Sequence, residues 1–296
     1  MKLQRKVATG LAAILCLALA GCDAVRVFFP SDHHDEVAPE LPARLGRPAL
    51  LVFSKTNGFR HGEAIPAGIE MIERIADRRG WSVFFTENGA VHDEDLLARF
   101  EVAVWHNVSG NVLSDDQRAA LRGFLGAGGG FVGIHGTGGD PSYDWQWYVD
   151  ELIGAQFIGH PMNPQFQDGE LRVEDRTHPA TAHLPERWTH NEEWYSFDRS
   201  VRAQEGFRVL VSVDESTYSP VADWWLFEQD LRMGDDHPLV WTHCVGRGRV
   251  FYSALGHQAS AYEKSEIEGL IDGAVRWAAR LDGEGCDPAP QQGGAR

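Results

Sequence analysis

Short apolar runs alternate with helix-forming segments through the first half of the chain, and this alternation restricts the fold more than any other feature. The four runs are Pro48–Phe53, Trp81–Thr86, Val102–His106 and Phe131–Ile134. Each is short and continuous, as in a strand that is buried on both faces of a parallel sheet. Helical patterns over 64–79 and after Ser114 separate them, and a less regular second half ends in a helical pattern over 262–281. The sequence therefore predicts an α/β fold with a doubly wound, mostly parallel sheet and helices on both faces.

The fourth run leads into a glycine-rich turn, Gly130–Gly139, that is typical of a strand ending in a sharp elbow. Hydrolases of this shape carry a Ser or Cys nucleophile at the tip, between small residues that allow the tight turn. Here the tip residue is His135, so amide transfer by a thiolate at the elbow is excluded and the chain is not predicted to be a glutamine amidotransferase. In such sheets ligands bind beyond the carboxyl ends of the strands, so the loops after Phe53, His106 and Ile134 should share one cleft.

The N-terminus has the pattern of an export signal. A positive end with Lys2, Arg5 and Lys6 precedes an apolar stretch over 11–20, which ends in Leu-Ala-Gly-Cys at Cys22. This ending resembles a bacterial lipobox and predicts cleavage before Cys22 and lipidation of that residue. We expect a lipoprotein signal peptide over 1–22, a flexible tether over 23–46, one domain over 47–282 and a disordered tail over 283–296. The predicted location is the bacterial cell envelope, with the chain anchored to a membrane on its extracytoplasmic face.

Charge restricts the class of partner. Removing the three positive charges of the leader from the formal charge of −16 leaves −19. Such a surface should repel nucleic acid and anionic lipid, which favours a neutral ligand and a membrane contact made only through the N-terminal lipid. Cys244 and Cys286 would remain after export, and a disulfide between them is one alternative in an oxidising compartment.

A set of motifs along the domain resembles the ThuA-like (trehalose utilisation) family. In chain order the motifs are Ser54–His61, Gly133–His135, Trp145–Tyr148, Leu152–Ala155, Gly159–Pro161, Thr177–Pro179, Asn191–Phe197, Pro238–Trp241, Gly248–Tyr252 and Leu255–His257. They follow the order of the family over about residues 48–280. The resemblance implies a flavodoxin-like fold, related to class I glutamine amidotransferases, and a link to carbohydrate catabolism that includes trehalose and 3-keto-sugars. It does not imply one reaction.

Four residues are the candidate catalytic groups: His135, His160, Glu193 and His257. His135 takes the elbow position, His160 precedes a proline that keeps the backbone extended, and His257 follows a late strand. Glu193 lies among aromatic residues, so burial should raise its pKa and suit it to acid–base work. A turn-stabilising His135 or a Glu193 paired with an arginine are the structural alternatives.

Further residues are expected to contact substrate in the same cleft. They are Arg60, His61, His106, Trp145 and Tyr195. A divalent metal is a second use of such a set, with His61, His135, His160 and His257 as ligands, although no short ligand spacing such as His-Glu-x-x-His is present. No cofactor is required by the pattern.

Two functions fit these residues. The first is an enzyme that acts on a sugar or a 3-keto-sugar glycoside by histidine acid–base chemistry, with or without a metal, as a glycoside-cleaving lyase or hydrolase or as an isomerase. The second is a lipid-anchored module that binds carbohydrate without turning it over.

Overall fold

The computed structural model describes residues 29–224 and 227–286. The predicted signal peptide, its lipidation residue Cys22 and residues 287–296 of the predicted tail lie outside the described residues. No helix among the described residues is long and apolar enough to cross a bilayer.

The secondary structure alternates as the sequence predicts in the first half and becomes rich in strands in the second. The strands are β1 (Ala49–Phe53), β2 (Ser82–Thr86), β3 (Val102–His106), β4 (Gly130–Ile134), β5 (Phe157–Gly159), β6 (Gln167–Val173), β7 (Arg187–Glu192), β8 (Ser196–Phe197), β9 (Arg208–Asp214), β10 (Val221–Asp223), β11 (Glu228–Asp230), β12 (Pro238–Val245) and β13 (Gly248–Ser253). The α-helices are α1 (Ala64–Arg79), α2 (Glu94–Leu97), α3 (Asp115–Gly126) and α4 (Ser265–Ala278). A π-helical segment spans Tyr148–Ile153, and short 3₁₀ turns include His135–Gly138 and Ala259–Glu263.

Nine of these strands form one sheet in the order β2-β1-β3-β4-β13-β12-β9-β6-β7. The first five run parallel, and β12, β9, β6 and β7 extend the sheet through antiparallel pairs. The chain goes from β1 outward to β2 and then crosses back to β3, so the strand order reverses between β1 and β3. The α/β class and the doubly wound parallel core are confirmed, and the reversal marks the edge where such sheets bind ligands.

The helices form where local signals and burial agree. Ser114 and Gln117 make a capping box at the start of α3. Helix α1 buries Met71, Ile72 and Ile75 on one face and ends at Gly80, whose φ of 73° is the left-handed conformation that suits glycine. Contacts join α1 to α4 and α2 to α3. Every residue of β1, β3 and β4 is buried, as expected for central strands of a parallel sheet that is covered on both faces.

The described part of the segment expected to be a tether lies against the domain. The Ser31 amide donates to Asn57 O at 2.8 Å, and Asp35 accepts a hydrogen bond from the Gly89 amide at 2.7 Å. Asp35 also forms an ion pair with Lys55, which is 6 % exposed. A lysine this buried needs a counter-charge, which explains why residues 31–35 are held in place.

The domain also continues past the expected boundary at residue 282. Cys286 forms a disulfide with Cys244 across a sequence separation of 42 residues. Arg249 donates to Gly285 O, and the Trp277 indole N–H donates to Glu284 O, both at 2.9 Å. The first four residues of the predicted tail are therefore part of the domain.

Candidate functional site

A cavity of about 1110 Å³ opens at the carboxyl ends of the parallel strands. Its walls come from the loops after β1, β3, β4 and β13, as the topology predicts, and from the segment around β5. Phe59, Ile158, Phe166 and Trp224 form apolar parts of the wall. A polar part of the lining, named the floor, comprises His61, His160, Glu193 and His257. This combination of apolar walls and a few converging polar groups is typical of a small-molecule site.

Four chemically active side chains converge on this floor from distant parts of the sequence. They are His61, His135, Glu193 and His257, and each offers one nitrogen or oxygen within 4.8 Å of the others. His257 Nδ1 lies 2.9 Å from Glu193 Oε2 and 3.2 Å from His135 Nε2. His135 Nε2 lies 3.5 Å from the same Glu193 oxygen. The expected gathering of histidines around one hollow is present in the structure.

His135 occupies the elbow but does not project freely into the cavity. Its φ of 46° is left-handed, and its ring is fully buried and packs against Tyr195 at a tilt of 30°, with 4.2 Å between ring centroids. His135 Nδ1 donates to Ala254 O at 2.7 Å, so the proton is on Nδ1 and the Nε2 lone pair faces His257 and Glu193. The elbow residue therefore forms the bottom of the cluster.

Glu193 links the buried cluster to the open cavity. It is 2 % exposed, and its second oxygen lies 3.3 Å from His160 Nδ1 and accepts a hydrogen bond from Gln165. Burial opposes its ionisation, but the surrounding imidazoles of His135, His257 and His160 keep the pKa of Glu193 well below its ordinary value. The sequence-based expectation of a raised pKa is wrong, because histidines surround the carboxylate where hydrocarbon was expected.

The two remaining histidines of the cluster have opposite protonation preferences. Burial opposes the charge on His257, but its hydrogen bond to Glu193 and the negative charge there raise the pKa of His257 above 6.5. Burial and the neighbouring imidazoles of His135 and His257 hold the pKa of His61 well below 6.5. His61 Nδ1 is buried and has no hydrogen-bond partner among the residues that the structure describes.

Two residues that support the cluster were not among the site residues predicted from the sequence. Glu192 is fully buried and accepts hydrogen bonds from the amides of Gly256 at 2.7 Å and His257 at 3.2 Å. Asn107 accepts a hydrogen bond from the elbow amide of Gly136 at 3.0 Å. Together they fix the two turns that carry His257 and His135. Their signals are weak: Glu192 is the neighbour of Glu193, and Asn107 follows the last residue of β3.

The predicted substrate-binding residues divide into two groups. Arg60, His61 and Tyr195 line the cavity, with Arg60 held by Glu87 at 2.7 and 3.1 Å. His106 does not reach it: its ring is buried under α1, 3.1 Å from Ala64 O, and burial lowers the pKa of His106 to about 4.

Trp145 is also outside the cavity wall. It packs against Trp147 with 5.2 Å between centroids, and the guanidinium of Arg118 lies over its ring at 5.3 Å. These are packing contacts, and the structure does not bring Trp145 to the cavity where a sugar contact was expected. His160 lines the cavity but lies beyond Glu193, so Glu193 replaces His160 in the expected metal-ligand set.

The sequence profile of the ThuA family, described as trehalose utilisation, matches residues 49–278. The chain belongs to the ThuA family. The ThuA-like protein from Bacteroides uniformis ATCC 8492 superimposes with a TM-score of 0.68 at 23 % identity, covering 82 % of this chain and 95 % of that one. The ThuA-like protein from Parabacteroides merdae ATCC 43184 gives 0.59 at 17 % identity, covering 82 % and 93 %.

At these identities the two structures establish the ThuA fold alone. No curated protein sequence matches the chain. Membership in the ThuA family is consistent with carbohydrate utilisation at the level of the family.

Proposed function

We propose that this ThuA-family protein is an enzyme that acts on a neutral sugar or a 3-keto-sugar glycoside through histidine acid–base chemistry. The observation that carries the proposal is Glu193, whose two oxygens engage two cavity-lining imidazoles, His160 and His257. An acceptor on Nδ1 fixes the tautomer of an imidazole and leaves Nε2 available for proton transfer. For His257 that acceptor is Glu193 at 2.9 Å, and for His160 it is Pro161 O at 3.0 Å, with Glu193 beside it at 3.3 Å. Two such imidazoles on one carboxylate supply a base and an acid in the same site.

The reaction that best uses this pair is elimination beside a ketone. His160 accepts the proton from C2 of a 3-keto-glycoside, and the electron pair left behind forms the C1–C2 double bond. The C1–oxygen bond breaks, and protonated His257 donates its proton to the departing oxygen. The products are an unsaturated keto-sugar and the free alcohol, and exchange of protons with water restores both histidines. The raised pKa of His257 favours the protonated form that this step needs.

The cavity suits a sugar better than a charged metabolite. Its volume of about 1110 Å³ is at the upper end for small-molecule sites and accommodates a disaccharide. Trp224 is 46 % exposed and Phe59 36 % exposed on the wall, which makes aromatic faces available to the apolar face of a sugar ring. The acidic formal charge of the chain agrees with a neutral ligand.

We also propose a location for the protein in the cell. The lipobox-like ending at Cys22 supports lipidation there and a position in the bacterial cell envelope, anchored to a membrane. Substrate would then be met outside the cytoplasm.

The test is turnover of a panel of 3-keto-glycosides, with the parent glycosides as controls, followed by NMR in D₂O. We expect exchange of the C2 hydrogen and release of the alcohol. Removing the base with His160→Ala should lower kcat about 100-fold or more, the usual contribution of a positioned proton acceptor. His33→Ala, which changes a histidine outside the cavity wall, serves as the matched control.

Unchanged substrate with every ketone and no C2 exchange would overturn the proposal. Tight binding of a sugar without any product would instead identify a carbohydrate-binding module.

A further inference from the structure

We propose that His61, His135, Glu193 and His257 bind one divalent transition-metal ion at the floor of the cavity. This inference concerns ion binding, so it is tested without any assumption about the sugar.

The spacing of the ligand atoms fits a single ion. His135 Nε2, His257 Nδ1 and Glu193 Oε2 form a triangle with edges of 2.9, 3.2 and 3.5 Å. A point about 2.1 Å from all three atoms, the usual metal–ligand distance, lies roughly 1 Å out of their plane. Two histidines and one carboxylate on one face of an ion are a common arrangement in catalytic metal sites. The three atoms need little rearrangement to bind.

The tautomer of His135 supports the same conclusion. Its Nδ1–H donates to Ala254 O at 2.7 Å, and the lone pair on Nε2 is therefore directed into the cluster. Metal-binding histidines almost always have their second nitrogen held by such an acceptor, because the bond orients the ring and makes the free nitrogen more basic. A histidine that only stabilised the elbow would not need its second nitrogen aimed at a carboxylate.

His61 supplies an independent observation. Its Nδ1 is buried without a hydrogen-bond partner among the described residues, although its ring packs edge-on against His135 and His257 at 4.9 and 4.6 Å. An unpaired buried polar atom destabilises a fold unless something binds it. A Cβ atom at position 136 would lie 2.9 Å from His61 Cε1, so the ring is confined against the elbow backbone. A cation in the cluster would give this imidazole a partner.

The donor set decides the class of ion. Three imidazoles and one carboxylate suit Zn²⁺, Fe²⁺, Co²⁺ or Ni²⁺, whereas Mg²⁺ and Ca²⁺ prefer all-oxygen ligands. His61, Glu193 and His257 also line the cavity, so an ion here would face the substrate and keep a position for it. In the proposed reaction the ion would replace the proton of His257 as the group that stabilises negative charge on the departing oxygen. His160, outside the ligand set, would remain the base.

The experiment is calorimetric titration of ZnCl₂ into the full chain after removal of metals with a chelator. We expect saturable binding of one ion per chain and a higher Tm with zinc. Glu193→Gln and His61→Gln should each weaken the affinity about 100-fold or more, and MgCl₂ should not compete. His160→Ala and His33→Ala should stay within about 3-fold of wild type, because neither residue belongs to the ligand set.

A second measurement uses only the wild-type chain, so it does not depend on the folding of a variant. CoCl₂ added to the wild-type chain should produce the visible absorption of Co²⁺ bound by nitrogen and oxygen ligands. The proposal is overturned by the absence of saturable zinc binding together with an unchanged cobalt spectrum, or by wild-type affinity in folded Glu193→Gln and His61→Gln. If the His160→Ala chain binds zinc but no longer turns over substrate, the metal site is supported independently of the proposed reaction.

Discussion

Lowering the pH from 7 to 5 should destabilise the fold through four histidines that are buried in the neutral form. They are His92, His106, His178 and His243, and burial lowers the pKa of each to about 4. His92 illustrates the reason: its Nε2 accepts a hydrogen bond from the Trp105 indole at 3.1 Å, and its Nδ1 lies 3.1 Å from Gly89 O. Protonation of His92 would place its Nε2–H against the Trp105 indole N–H in an interior that excludes water.

The sign and size follow from proton linkage. Between pH 6.5 and 4 the unfolded chain binds a proton at each of these positions and the folded chain does not, so stability falls as the pH falls. From pH 7 to 5 each histidine should remove about 2 kcal/mol from the free energy of unfolding. The four together approach roughly 7 kcal/mol as an upper bound, which is comparable to the total stability of many domains. His61, whose pKa is also lowered by burial, acts in the same direction.

The assay is urea unfolding at pH 7, 6 and 5, with His243→Gln as the test variant. Glutamine keeps a donor for Glu151 O, which lies 2.9 Å from His243 Nε2, but it does not titrate. Near pH 5.5 the variant should lose about 1.2 kcal/mol less per pH unit than wild type. Equal pH slopes for wild type and His243→Gln, or a wild-type stability that does not change between pH 7 and 5, would refute the reasoning.

Three further results are expected. Cys286→Ser opens a covalent loop of 42 residues and should lower the free energy of unfolding by up to about 4 kcal/mol. Denaturant titrations without reductant measure this difference, and equal stability of variant and wild type would show that the disulfide does not stabilise the fold. Glu192→Gln weakens the hold on the backbone amide of His257 and should reduce kcat about 10-fold with little change in Tm, which steady-state kinetics and a thermal melt can check. Trp145→Phe should lower Tm but leave KM for a sugar unchanged, because this indole packs outside the cavity wall; a raised KM would contradict that placement.

The position of the site was predictable because it follows from strand direction. Parallel strands end at one edge of a sheet, so the loops after Phe53, His106 and Ile134 had to meet, and the cavity lies there. The direction in which each side chain points was harder to predict from the sequence. Neighbouring residues on a strand point to opposite faces, and His106 at the end of β3 points under α1, where it bonds to Ala64 O.

The electrostatics of the site could not be predicted from local sequence. Glu193 is followed by Trp194 and Tyr195, which suggested hydrocarbon, but its charge is set by imidazoles from positions far along the chain. The antiparallel extension of the sheet was also hard to foresee, since the short apolar runs of the second half do not encode their partners. The C-terminal disulfide remained one alternative among others, because two cysteines alone do not fix a pairing.

If Cys22 carries the proposed lipid, the contact of residue 31 with the domain would limit how far the cavity can lie from the membrane. Pro30 lines the cavity wall, and the Ser31 amide is bonded to the loop after β1. A chain with lipid on Cys22 would have only eight residue steps to Pro30, a reach of about 28 Å when fully extended. The mouth of the pocket would then stay within a few nanometres of the bilayer, and sugars would arrive through the narrow aqueous layer beside it.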